Sequence, residues 1–98
     1  MNFNKIVPLV PSDTFYLQSE TGFMVSAAGA KGFVHVNRDG FQVLQECNGE
    51  RPVSEITSRF TERTRIEMSD EEMYHFLKEL CDFGVGCLQS REDAQNVE

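Results

Sequence analysis

The sequence predicts an α+β fold: a three-stranded antiparallel sheet followed by three helices, arranged like a winged helix-turn-helix. Three observations lead there. Residues 13–37 hold alternating, aromatic and β-branched runs broken by turn signals. Beyond Asn37 the apolar residues fall at helical spacings. Ser69 opens a stretch with a strong helix start and Gly84 closes it.

The strands come first. Thr14-Phe15-Tyr16-Leu17-Gln18 alternates, Glu20-Thr21-Gly22 signals a turn, and Phe23-Met24-Val25-Ser26 resumes an extended pattern. Ala27 to Gly32 is small and punctuated by glycine, which suits a loop or bulge. Gly32-Phe33-Val34-His35-Val36-Asn37 is the third run. It places Val34 and Val36 on one face, and Phe33, His35 and Asn37 on the other. The sum is a meander.

The helices follow. Asn37 or Asp39 can cap a short helix reaching about Cys47, with Phe41, Val43, Leu44 and Cys47 inward and Asn48-Gly49 at its end. Pro52 suits the first turn of a second helix, with Ser54 as a helper at the cap and Val53, Ile56 and Phe60 as its stripe. The polar stretch Thr61 to Ile66 reads as a loop. In the third helix Ser69 and Glu72 make a capping box, and Met73, Phe76, Leu77, Leu80 and Phe83 form the apolar stripe. Val85 to Leu88 reads as a short extended tail beside the helices, a minimal wing. The organisation expected is therefore an N-terminal segment at 1–12, a domain at 13–88 and a frayed tail at 89–98.

Composition narrows the function. The chain has 98 residues, 40% hydrophobic and 26% charged, which suits one ordinary globular domain. It is too small to enclose a deep active site beside its core. No secretory signal or membrane-length apolar run is visible, so a cytoplasmic location is expected. The three cysteines, Cys47, Cys81 and Cys87, are odd in number and lack a CxxC pair. They read as reduced thiols, neither a disulfide framework nor a zinc site. The net charge of -7 is placed unevenly. Residues 1–37 are neutral, whereas residues 38–98 hold seven Lys or Arg against fourteen Asp or Glu. That half would repel a nucleic-acid backbone.

Catalytic motifs are missing. There is no P-loop, GxGxxG, GxSxG or HExxH. His75 falls off the apolar stripe and reads as a surface residue. Asp70-Glu71-Glu72 is explained by helix capping and the helix dipole, because successive helical positions point in different directions. Phe33 either offers an aromatic contact beside His35 or packs on the segment from Phe3 to Val10. The expectation is a non-enzyme without cofactor or metal.

Asn37-Arg38-Asp39-Gly40 and Asn48-Gly49-Glu50-Arg51-Pro52-Val53-Ser54-Glu55-Ile56 carry a resemblance. The chain resembles the PqqD-like proteins, also called RiPP recognition elements, over about residues 13 to 88. In that family an Asn ends the third strand, and a "DG-x-x-T/S-v-x-e-I" segment opens the second helix. Asn48-Gly49 stands for the usual Asp-Gly, and Ser54-Glu55-Ile56 matches. The family's "FL-x-x-L-x-x-x-G-h" helix end is matched by Phe76 to Val85. The family's Asp-x-x-x-Gly hairpin is not recognisable, and the insert Ala27 to Gly32 is a departure.

The resemblance implies an adaptor. Such domains bind the leader of a ribosomally made precursor peptide and present it to a modifying enzyme, such as a radical-SAM enzyme, a cyclase or a leader protease. The leader adds as a strand and packs into a groove beside the third helix. On this chain that implies a strand site at Phe33, Val34, His35, Val36 and Asn37. The helix side is drawn from Met73, Tyr74, Leu77, Lys78 and Cys81. An exposed edge offers unpaired backbone groups for such a strand, and permits a monomer or a dimer. A winged-helix DNA-binding regulator is the main alternative. The third helix argues against it, with Asp70, Glu71, Glu72, Glu79 and Asp82 against one lysine, Lys78. A structural or assembly subunit of an enzyme complex is the other. Neither nucleic acid nor membrane is expected as a partner.

Overall fold

The computed structural model describes residues 2–90. It is α+β, in the order β1 (Ile6–Leu9), β2 (Phe15–Ser19), β3 (Gly22–Ser26), β4 (Val34–Val36), α1 (Arg38–Gln45), α2 (Val53–Thr64), α3 (Asp70–Phe83) and β5 (Cys87–Ser90). The expected meander is present as a three-stranded antiparallel sheet in the order β2-β3-β4. Its first hairpin closes on Ser19 opposite Gly22, with Glu20-Thr21 as the turn. A side chain at Gly22 would collide with the Val36 carbonyl, so glycine is required where the third strand passes.

A second sheet was not expected. β1 pairs antiparallel with β5, from Ile6 opposite Ser90 to Leu9 opposite Cys87. The fold is therefore not a single sheet followed by helices: one strand of this second sheet opens the chain and the other follows the last helix. The N-terminal segment is also tied down elsewhere. Val10 N–H donates to the Cys47 carbonyl, Gly49 N–H to the Pro8 carbonyl and Ser54 N–H to the Phe3 carbonyl. Gln89 and Ser90, placed in the frayed tail by the sequence reading, belong to β5; the rest of that tail, 91–98, lies outside the described residues.

The helices follow their signals closely, with two corrections. Asn37 caps α1, its side chain accepting from Gly40 N–H at 2.7 Å. Ser69 and Glu72 form the expected capping box, and Gly84 ends α3 at φ 111°. The loop expected from Thr61 is instead helix: α2 runs to Thr64 and stops at Arg65, which takes the left-handed conformation at φ 64°. Phe60 is the last core residue of α2, so its final turn is polar because it faces solvent. Arg59 and Arg63, one turn apart, both pair with Glu46 after α1 and hold that end in place. Ser54 does not cap α2, where Pro52 is the cap residue without a side-chain bond. Its hydroxyl donates to the Asn4 side chain instead.

One core unites the elements. Val25 and Val36 from the sheet meet Val43, Leu44 and Cys47 around α1, Val53, Ile56 and Phe60 of α2, and Met73, Leu77 and Leu80 of α3. Phe41 stacks on Phe23 at 3.8 Å between ring centroids and receives the edge of Tyr16 at 5.1 Å. Those contacts seat the sheet on α1.

Candidate functional site

The site begins with the hydrogen-bond phase of the sheet. A turn of Glu20-Thr21 closed by Ser19 opposite Gly22 makes that pair hydrogen-bonded. The alternation then follows along the sheet. Phe15, Leu17 and Ser19 direct their backbone groups at β3, while Tyr16 and Gln18 direct theirs outward. In β3, Phe23 and Val25 face β4, so their opposites Val36 and Val34 are the bonded residues there. His35, opposite Met24, is the non-bonded position. Its N–H and C=O therefore point away from the sheet, along an edge of β4 that no described strand pairs. Its imidazole Nε2 lies 3.0 Å from Thr21 Oγ1 on the outer face.

The strand is shorter than the expected run from Phe33 to Asn37. Asn37 has left the sheet to cap α1, and Phe33 precedes the ladder. Phe33 is exposed and packs edge-on against Phe15 at 5.8 Å, not on the N-terminal segment.

Beyond the end of β4 a cavity of about 300 Å³ opens between the three helices. Val43, Phe60, Ile66, Met68, Met73 and Phe76 make its walls, with Asn37, Asp39 and Gly40 at the start of α1. Phe76 hangs over Gly40: a methyl group there would stand 3.3 Å from the ring's Cζ and 3.2 Å from Val36 Cβ. The preceding loop is anchored at the other end of α3, where Lys31 N–H donates to the Phe83 carbonyl at 3.2 Å. β4 is thus flanked by Phe76 at one end and Phe83 at the other.

The expected helix residues divide. Met73 is buried and lines the cavity. Leu77 is a core residue with 2% exposure. Tyr74 lies on another face of α3, with its ring 5.7 Å from Phe3. Lys78 pairs with Asp82 at 2.9 Å on the surface. Cys81 is half-buried, and desolvation, reinforced by Cys87 and Asp82, raises its thiol to about 11. The structure brings Met73 to the end of β4, and places Tyr74 towards the N-terminal segment. Phe76 and Gly40 were not among the expected site residues. Phe76 stood in the apolar stripe, but only the tertiary packing places it over Gly40 at the edge of the core.

No family model matches the chain, and comparison with curated proteins and with solved structures finds no match. Among the described residues no cluster of His, Cys, Asp or Glu is arranged to hold a metal ion. No described helix is long and apolar enough to cross a membrane.

Proposed function

We propose that the chain is a non-catalytic, cytoplasmic adaptor of the PqqD-like kind. In this reading it binds the leader segment of a ribosomally synthesised precursor peptide by strand addition to β4 and presents it to a modifying enzyme. The observation that carries the reading is the outward backbone of His35 on an edge strand that ends at an apolar cavity. Backbone bonds to such an edge provide affinity with little dependence on sequence. The cavity walled by Phe76, Met73 and Met68 offers one apolar side chain of the peptide a place to be buried. The order of motifs from Asn37 to Val85 points to the same family.

The DNA-binding alternative is disfavoured by α3 itself. Its first turn holds Asp70, Glu71 and Glu72, and its one cation, Lys78, is engaged by Asp82. The test is a calorimetric titration of the whole chain. One arm uses the leader of a short precursor peptide encoded beside this chain's gene, and the other uses duplex DNA at low salt. Saturable binding of the leader alone is the expected result. A specific complex with DNA and none with the leader would replace this reading with the regulator.

A further inference from the structure

Among the described residues, the opposite edge of the same sheet has none of the usual protection. β2 reads Phe15-Tyr16-Leu17-Gln18-Ser19, with no charge, no proline and no glycine. Natural edge strands are commonly blunted by such residues or kept very short. β2 is longer than β4. Phe15 and Leu17, on its outer face, are 53% and 54% exposed. Its outward backbone groups, those of Tyr16 and Gln18, are directed at nothing in the ladder.

We propose that β2 is a self-association edge, at which two copies of the chain pair antiparallel about a two-fold axis through Leu17. The register is self-complementary. Tyr16 exchanges both backbone bonds with Gln18 of the second copy, and Gln18 does the same with Tyr16. Leu17 then faces its own symmetry mate as a non-hydrogen-bonded pair, where side chains approach most closely. Phe15 falls opposite Ser19, so every residue of β2 has a counterpart. The two sheets become one, and their exposed apolar faces become continuous.

Two further features favour a second copy as the occupant. Beneath the β2 edge lies an open cavity of about 500 Å³, lined by Leu9, Pro11, Tyr16 and Leu44 together with Gln45 and Asn48. The inward side chain placed opposite Tyr16 by this register is Gln18 of the second copy, an amide suited to that mixed lining. The charge pattern agrees. The chain carries -7 overall, yet residues 1–37 are neutral, so copies repel least when they meet through this half. The inference is independent of the peptide-binding reading, because that reading uses the other edge of the sheet.

The test needs no ligand. Sedimentation of the full chain over a range of concentrations should reveal a monomer–dimer equilibrium that tightens with added salt, since like charges are screened and no ion pair holds the contact. Leu17→Lys places two cations face to face on the axis, and should leave only monomer. Gln18→Pro removes an outward donor from each copy, two per dimer, at an edge position that tolerates proline, and should weaken the dimer about tenfold or more. Circular dichroism checks that both variants fold. Amide exchange reads the register: Tyr16 and Gln18 should slow as concentration rises, whereas Leu17, already bonded within the sheet, should not. A wild-type chain that stays monomeric at the highest concentration would overturn the proposal. So would a dimer that survives Leu17→Lys, weakens with salt, or is lost in His35→Pro alone.

Discussion

Met24 and His35 face each other across the sheet as a non-hydrogen-bonded pair, so the backbone of His35 is turned outward and that of Val34 inward. The two residues look equivalent in sequence. Their proline variants should behave in opposite ways. Proline lacks the donor, and at His35 only the outer edge loses it. His35→Pro should stay folded and bind the leader peptide about tenfold or more weakly, for a loss of about 1–3 kcal/mol. Val34→Pro should break the ladder to Val25 and lower stability instead. Calorimetry for binding and denaturant unfolding for stability separate the two outcomes. A folded His35→Pro that binds like wild type would sink the strand-addition mechanism.

The groove side can be tested with two aromatic residues on different faces of α3. Phe76 stands over Gly40 and lines the cavity; Tyr74 packs on Phe3. Phe76→Ala should weaken the leader peptide by about tenfold, because it removes a wall of the pocket. Tyr74→Ala should leave affinity within about twofold and cost about 1–2 kcal/mol of stability, as its contact holds the N-terminal segment. Equal loss of affinity in both variants would move the groove to the other face of the helix.

What the sequence discloses here is what local chemistry determines. The Ser69–Glu72 box, the Gly84 stop and the Glu20-Thr21 turn each act over a few residues, and each is where the pattern places it. The pairing of β1 with β5 joins the two ends of the chain. Ile6-Val7-Pro8-Leu9 is short and contains a proline, so no periodicity marks it as a strand. The proline is tolerated because its backbone faces Gly49, whose N–H its carbonyl accepts, and not β5, so the β1–β5 ladder loses no donor there. That docking also decides the face of α3. Tyr74 and Cys81 do share a helical face, as their spacing implies, but Phe3 packs on Tyr74. The last turn of α2 was missed for a related reason: its anchor is Glu46, far away in sequence.

Glu46 itself gives a third expectation. Its carboxylate is nearly buried and receives Arg59 and Arg63, while the Arg51 guanidinium reaches its carbonyl at 3.4 Å. Glu46→Ala should lower the midpoint of thermal unfolding and speed amide exchange in the last turn of α2, with α3 and the sheet little changed. High salt should reproduce only part of the effect, because the carboxylate is shielded from solvent. Unchanged exchange from Thr61 to Thr64 would mean that the helix end holds without these pairs.

The thiols supply the pH dependence. Cys47 is a core residue whose thiol is pushed up from 9.0 to about 12 by burial, with Cys81 and Glu46 adding to the shift. The folded chain thus keeps a proton that the unfolded chain releases near 9. Below that pH both states hold it and stability is unaffected. As pH rises from 9 towards 12 the unfolded state is favoured, by up to about 1.4 kcal/mol per pH unit for this group. Cys47→Ser removes the titrating group at some cost in packing. Its unfolding free energy should therefore start lower but fall less steeply with pH over that window. Equal slopes for variant and wild type would show that Cys47 is not the group responsible. Alkylation at neutral pH offers a second check on the same burial. Exposed Cys87 should react first and half-buried Cys81 more slowly, while Cys47 should wait for unfolding. Rapid labelling of Cys47 in the native chain would mean that α1 opens far more readily than its packing against Val43 and Leu44 implies.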